Sequence, residues 1–344
     1  MTEGKPRSAL LEVDASGAFK RTASSYREKV SVDGQFPPAT RRYHLYVSLA
    51  CPWAQRCLAV LYLKGLEDVI SFTVVHPTWQ RSRPDDPDDS HCGWAFYDSS
   101  LREPLSSSTG HGSFIVEGCN GDVLNGCRFV RDLYEMAKDT NGKYTVPILW
   151  DTQTQSIVNN ESSEIIRILN TAFDEFASNP RCDLYPVELR SSIDEWNRKV
   201  YESINDGVYR CGFAKTQAAY DAAVTALLAG LDEVENRLSS SRYLAGSRLT
   251  ESDIRLFVTL VRYDEVYVVY FKTNARCLTT YPNIRDYMRE LFQMPAIRKS
   301  TDMKHIKIHY YSSHPHLNPF AIIPSGPGVI ADLELPHGRD SLDF

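Results

Sequence analysis

Nothing in this chain of 344 residues approaches the roughly 18 consecutive apolar residues that a membrane-spanning helix requires. Positive charge is in short supply: 38 Lys and Arg stand against 44 Asp and Glu, for a formal net charge of −6. That balance excludes a general nucleic-acid or anionic-membrane surface, because both need clustered positive charge. Met1 to Lys29 contains no apolar stretch of signal-peptide length, and it carries Glu3, Glu12 and Asp14, acids of the kind that transit peptides lack. The expectation is a cytoplasmic protein. A C-x-x-C pair is also missing. The eight cysteines, Cys51, Cys57, Cys92, Cys119, Cys127, Cys182, Cys211 and Cys277, are scattered, which excludes a secreted disulfide framework and a zinc ribbon or finger. Internal repeats and low-complexity tracts are absent. What is present is 42% hydrophobic and 24% charged, the composition of a globular protein with a core, and long enough for two domains.

Residues 1–40 read as a polar extension that wraps the domain or stays mobile, ending at Phe36-Pro37-Pro38. Arg42 to Ser48 is aromatic and β-branched, which predicts a strand; Trp53 to Lys64 has helical spacing and is closed by Gly65; Val69 to Val75 predicts a second strand. Together they form a β-α-β unit, so a sheet with a covering helix follows. From His76 to about Asn125 the chain is rich in Pro, Asp, Ser and Gly and reads as a surface insertion, with Ser113 to Val116 as a short strand. A helix over Phe129 to Ala137 precedes a hairpin of Ile148-Leu149-Trp150 and Ser156-Ile157-Val158. A further helix runs to Leu169, with Ser162 or Asn160 as its cap. Beyond Arg181 the strand signals stop. Leu184–Ile204, Thr216–Leu238, Glu251–Tyr270 and Tyr281–Phe292 all show helical periodicity, and Thr250-Glu251-Ser252-Asp253 resembles a capping box. The tail from His309 reads as loop. The organisation is thus an extension (1–40), an α/β domain (41–175) with an insertion near 80–127, an all-α domain (183–327) and a tail (328–344).

Cys51 differs from the other cysteines because it lies between a strand and a helix, directly before Pro52. Proline suits the first helical position, where its missing N–H would be unpaired anyway. Cys51 is therefore expected at the helix N-cap, where unpaired N–H groups and the helix dipole favour the nucleophilic thiolate. Arg56 adds positive charge there unless it faces solvent. Ala54 stands three residues on, where a resolving cysteine would be, and Cys57 is too far along the helix to serve. An outside thiol must then resolve any mixed disulfide, and glutathione is the abundant cytosolic one. Val146-Pro147, entering a strand, is a second signal: a cis bond there leaves the Val146 backbone open to an extended peptide ligand. Glu161-Ser162 at a helix start is the third. The helix end and the Ser162 hydroxyl suit a carboxylate, and Glu161 suits an α-amino group; the γ-glutamyl end of glutathione carries both.

In that order these motifs resemble the glutathione transferase superfamily, and the Xi class in particular, the S-glutathionyl-hydroquinone reductases related to omega-class enzymes. The likeness is carried by Tyr46 to Ala54, His76 to Arg81, Thr145 to Asp151, Val158 to Ile166, Asn205 to Ala214, Leu249 to Phe257, His305 to Tyr311 and Asn318-Pro319. It covers about residues 40–327. The resemblance implies a thioredoxin-like N-terminal domain plus an all-α C-terminal domain, and a homodimer. It implies glutathione as co-substrate, held by Trp79, Lys143, the Val146 backbone, Glu161 and Ser162, with the Lys143 position often Arg in the family. It implies Cys51, Tyr209 and Tyr310 as catalytic residues, with Tyr267 on the quinone side. Nineteen tyrosines are present and most must be packing residues, so only the resemblance singles these out. Gln55 departs from the family, which usually has His there.

The implied reaction is attack by Cys51 on the sulfur of a glutathionyl-hydroquinone, followed by release of glutathione disulfide by a second glutathione. Two other functions use the same residues: an omega-like thiol transferase or dehydroascorbate reductase, and a non-catalytic carrier of glutathione conjugates. His305, His309, His314 and His316 lack a metal-ligand pattern, so no metal is expected. Asp253 and Arg255 are expected as a structural pair.

Overall fold

The computed structural model describes Pro6 and residues 12–342; the remainder of the 1–40 extension and the end of the tail lie outside the described residues. The chain divides into two units that interleave along the sequence. Among the described residues, the first contains Pro6, 23–181 and 300–323; the second contains 12–22, 182–299 and 324–342.

In the first unit, strand β1 (Tyr43–Val47) is buried at every position, as a central strand covered on both faces must be. Helix α1 (Pro52–Lys64) crosses over to β2 (Ser71–Val74), which pairs parallel to β1 with Leu45 opposite Phe72. The sheet is completed by β5 (Ile148–Asp151), antiparallel to β1 with Leu45 opposite Leu149, and β6 (Ser156–Asn159), in the order β2-β1-β5-β6. Arg42 and Asp151 close the β1–β5 end through two 2.8 Å hydrogen bonds, both side chains buried. Helix α1 ends where Gly65 turns left-handed (φ 64°) and its N–H returns to Leu61 O and Tyr62 O. Helix α3 (Ser162–Thr171) packs beside α1, and Leu58, Leu61, Ile165, Ile166 and Leu169 supply the core there. Each such side chain contributes about 1.5–3 kcal/mol of burial free energy.

The extension wraps the first unit from residue 23 onward. Glu28 N–H donates to Val158 O at 3.1 Å and Asn160 N–H to Tyr26 O at 3.1 Å, so the segment covers the open edge of β6. The insertion contains a small antiparallel pair, β3 (Gln80–Arg81) and β4 (Cys92–Gly93), followed by helix α2 (Val130–Met136). The strand expected at 113–116 does not form. Phe114 makes a single bridge to Leu105, and Gly112 and Gly118, both left-handed at φ 76° and 77°, bend the chain on either side. The segment around His309 is not a loop: Met303–Ser312 is helix α11, capped by the Asp302 side chain on His305 N–H at 2.8 Å, and it belongs to the first unit.

The second unit is helical, as expected. It comprises α4 (Arg190–Val200), α5 (Gly207–Phe213), α6 (Gln217–Leu238), α7 (Glu251–Arg262), α8 (Val268–Tyr270), α9 (Pro282–Gln293), α10 (Pro295–Lys299) and α12 (Val329–Leu333). Every residue of α7 is buried. The predicted capping box is present, with Thr250 N–H donating to Asp253 at 2.8 Å. Asp253 also accepts from Leu244 N–H at 2.9 Å and the Tyr287 hydroxyl at 2.8 Å, so its carboxylate is taken up there and does not pair with Arg255. The helix expected over Glu251–Tyr270 is interrupted by a π turn at Tyr263–Tyr267, and a second π turn, Tyr201–Asn205, links α4 to α5. No helix among the described residues is long and apolar enough to cross a membrane.

Candidate active site

Cys51 stands at the junction of β1 and α1. Its backbone is extended (φ −79°, ψ 121°), it is the N-cap of α1, and its carbonyl accepts the first helical hydrogen bond from Gln55 N–H at 2.9 Å. Pro52 takes the first helical position. The sulfur is buried, at 7% residue exposure, and lies 3.6 Å from Val146 O. Two influences act on it in opposition. The helix end favours the thiolate, and the carbonyl favours the protonated sulfur, which donates to it. The Val146–Pro147 peptide is cis.

Arg56 does not face solvent. It is 1% exposed, its guanidinium carbon lies 4.5 Å from the Trp53 ring centroid, and its Nη1 is 3.5 Å from Ser162 Oγ. It thereby joins α1 to the start of α3. The cap of α3 is Glu161 rather than Ser162 or Asn160. Glu161 accepts from Ser163 N–H at 3.0 Å and from Ser163 Oγ at 2.9 Å. Asn160 is diverted elsewhere, donating to the Tyr134 hydroxyl at 2.9 Å and accepting from Tyr26 N–H at 3.1 Å. Burial alone would raise the Glu161 carboxyl, but hydrogen bonds from Ser163 and Ser24 and the charge of Arg56 outweigh it and hold the group below its ordinary value. An ionised carboxylate therefore stands at the α3 terminus beside the buried Ser162. Sequence reasoning did not single out Ser24, whose hydroxyl is 3.0 Å from Glu161, because nothing local in a polar extension marks one serine.

Trp79 lies between β2 and β3. Its N–H donates to Ser313 Oγ at 3.1 Å, and its ring meets Trp94, His309 and His314 edge-on with centroids 5.4–5.6 Å apart. Its indole Nε1–H is buried and has no acceptor in the protein. Tyr310, on α11, is 1% exposed and sits 5.3 Å from His309 and 6.1 Å from His314, ring to ring. Lys143 is half-buried in the segment before β5. The histidines serve packing and backbone contacts: His305 Nε2 is 2.7 Å from Glu117 O, and His309 Nδ1 is 2.9 Å from Pro77 O. Burial pushes His314 well below its ordinary value. Among the described residues no group of His, Cys, Asp or Glu is arranged to hold a metal.

The first unit thus contains Cys51, Trp79, Lys143, Val146, Glu161, Ser162 and Tyr310, and joins Cys51 directly to Val146. Tyr209 and Tyr267 belong to the second unit, with ring centroids 6.2 Å apart. Tyr209, on α5, is half-buried; Tyr267, in a π turn, is fully buried and stacked on Phe271 at 5.3 Å and 12°. Asn205, in the other π turn, donates to Arg255 O at 2.8 Å and Thr259 Oγ1 at 2.7 Å, pinning the start of α5 to α7. π turns of this kind occur frequently at functional sites.

A thiol at a strand-to-helix turn, a cis-proline strand entry, an acid-capped helix and an all-helical second unit define a class. Residues 50–172 match the glutathione S-transferase N-terminal domain family and residues 217–290 match the C-terminal domain family. The chain belongs to the glutathione S-transferase family. It is 42% identical to the glutathionyl-hydroquinone reductase YqjG of Escherichia coli (strain K12), over 94% of this chain and 93% of that protein. The glutathione-bound structure of that relative superposes with a TM-score of 0.81 at 41% identity, covering 92% of this chain and 96% of the other. The glutathione-S-transferase Xi of Phanerochaete chrysosporium superposes with a TM-score of 0.83 at 45% identity, covering 95% and 97%. The Xi class is therefore the part of the family to which this chain is similar along nearly its whole length.

Proposed function

We propose that the chain is a glutathione-dependent reductase of S-glutathionyl-hydroquinones. The observation that carries the reading is the Cys51 sulfur, set at the α1 terminus 3.6 Å from Val146 O, in the same unit as the ionised, Glu161-capped end of α3. The name and 42% identity of the Escherichia coli relative supply the substrate class.

Glutathione is held by its γ-glutamyl end at Glu161 and Ser162, by its backbone against Val146, and by Trp79, whose buried indole N–H needs an acceptor. Lys143 pairs with the glycyl carboxylate. The Cys51 thiolate attacks the glutathionyl sulfur of the conjugate. The conjugate reacts as its keto tautomer, one hydroxyl proton having moved to the sulfur-bearing ring carbon. A Cys51–glutathione disulfide forms as the sulfur–ring bond breaks, and its electron pair enters the π system and rests on the ring oxygen, which takes up a proton as the hydroquinone is restored. Tyr209 and Tyr310 donate hydrogen bonds to the ring oxygens. Tyr267, buried on Phe271, backs Tyr209 rather than touching the ring. A free glutathione thiolate then attacks the mixed disulfide, releases glutathione disulfide and restores the Cys51 thiolate. The net change is one conjugate and one glutathione to one hydroquinone and one glutathione disulfide. The reading includes a cytoplasmic homodimer with no metal, nucleic-acid or membrane partner; sedimentation of the purified protein tests the dimer.

The deciding experiment is glutathione-dependent reduction of glutathionyl-menadiol by wild type beside Cys51→Ala. Wild type is expected to release menadiol, and Cys51→Ala is expected to lose at least about 10³-fold, as removal of a covalent nucleophile does. Activity on a small mixed disulfide alone would move the protein to the omega-like thiol transferases. Silence on both, with undiminished ligand binding in Cys51→Ala, would make it a carrier.

A further inference from the structure

Residues 12–22 pack as part of the second unit. Two contacts anchor them to the start of α6: Lys215 N–H donates to Gly17 O at 2.9 Å and Thr216 Oγ1 to Ser16 O at 3.1 Å. Gly17 is left-handed at φ 83°, and a Cβ there would lie 2.8 Å from Thr216 Cγ2, so the turn needs glycine. The segment delivers two side chains to Tyr209. Phe19 is buried, with its ring stacked 6.4 Å from that of Tyr209 and 5.5 Å from that of Phe213. Arg21 holds its guanidinium carbon 5.2 Å from the Tyr209 ring centroid and 5.7 Å from that of Phe19.

Asp206 fixes that cation. It is 2% exposed, its Oδ1 is 3.4 Å from Arg21 Nε, and its Oδ2 accepts from Arg210 Nε at 2.9 Å. Burial opposes the Arg21 charge, but Tyr209, Asp206, Tyr201 and Glu12 more than offset it and hold the guanidinium above its ordinary value. A lasting positive charge therefore stands against the one half-buried tyrosine of an aromatic cluster that also contains Phe213, Tyr267 and Phe271.

We propose that this N-terminal segment determines substrate class: Arg21 is a positioning residue that orients Tyr209 and favours negative charge beside its hydroxyl, and Phe19 completes the aromatic wall behind it. The inference rests on the reading that Tyr209 faces the quinone ring. When the sulfur–ring bond breaks, the ring and its oxygens carry the departing electron pair, so a hydroxyl donor backed by a cation lowers that barrier. A simple glutathione disulfide leaves as a thiolate, with its charge on sulfur and no ring to stabilise. The segment should therefore matter for the first substrate far more than for the second.

The test measures kcat/KM for glutathionyl-menadiol and for the mixed disulfide of glutathione with 2-hydroxyethanethiol, in the full chain. Arg21→Ala is expected to lower the ratio of the two values about tenfold, and Arg21→Lys to restore most of it. In a Tyr209→Phe background, Arg21→Ala is expected to change the ratio less than about twofold, because the two act as one unit. Arg21→Gln serves if the alanine variant does not fold. Equal losses on both substrates, an unmoved ratio, or independent multiplying effects of Arg21→Ala and Tyr209→Phe would each overturn the inference. A wild type that does not turn over glutathionyl-menadiol at all would instead overturn the parent reading.

Discussion

Gln55 sits one turn along α1 from Cys51, where the resemblance implied a departure from the family. Its side chain is fully buried and donates to Thr301 Oγ1 at 2.8 Å, with Ser300 Oγ at 3.5 Å. Its work is to tie α1 to the chain entering α11. Gln55→Ala should lower stability by about 1–3 kcal/mol, the cost of leaving buried polar partners unpaired. It should leave the pH dependence of Cys51 alkylation by iodoacetamide where it is in wild type. A displaced alkylation profile would show that Gln55 tunes the sulfur after all. Other single residues were legible to different degrees. Cys51 was, because Cys-Pro after a strand dictates its place. The α3 cap was not, because Asn160, Glu161 and Ser162 are all plausible caps locally, and only the distant Tyr26 and Tyr134 draw Asn160 away. Arg56 was undecided for the same reason: its burial depends on Trp53 and Ser162 together.

Among the elements that reach the Trp79 segment, α11 is the least visible in the sequence. Its His and Tyr residues gave no clean amphipathic stripe, since most of the helix is buried. Its end stitches into the Trp79 segment: Thr78 Oγ1 is 2.9 Å from Ser312 Oγ, Trp79 N–H donates to Ser313 Oγ, and Ser313 Oγ reaches Pro77 O at 3.2 Å. Ser313→Ala should therefore loosen Trp79 and raise the KM for glutathione severalfold with a smaller change in kcat, and Ser313→Thr should recover most of the loss. A fall in kcat alone, or no rescue by threonine, would remove Ser313 from the glutathione side. The periodicity of the sequence assigns no element to the α5 segment, which holds Gly207 and Gly212. Gly212 is there for a close approach: a Cβ would lie 2.3 Å from the Phe271 ring. The π turns were invisible because one extra residue in a long apolar pattern barely disturbs its period, whereas α6 and α9, with a Thr cap and a leading Pro, were read nearly to the residue.

For the molecule as a whole, the fold class was legible because the strand signals stop beyond Arg181, so that an α/β half gives way to a helical one. The pairing of distant segments was not, since no local pattern assigns residues 300–323 to the first unit. That unit also carries three histidines that bear on its response to acid. His44, His76 and His91 are all pushed down from 6.5 to about 4 by burial. The unfolded chain takes up protons at these sites below pH 6.5 and the folded chain does not, so their stabilising effect is complete above pH 6.5 and is lost as pH falls through about 4. By linkage each histidine withdraws about 2 kcal/mol on going to pH 5. The urea midpoint should fall markedly between pH 7 and pH 5, followed by tryptophan fluorescence, because Trp53, Trp79, Trp94 and Trp150 all lie in this unit. A midpoint that does not move would refute the assignment of buried neutral histidines. The place of α11 has one more consequence, in the order of synthesis. The partners of Gln55 and Trp79 are residues 300–301 and 313, so a growing chain has made Cys51, its sheet and all of α1 long before it has made the parts that hold them in register. A nascent chain arrested before residue 300 carries Cys51 without that brace, and the first half of the protein becomes complete only when the ribosome has nearly finished the second.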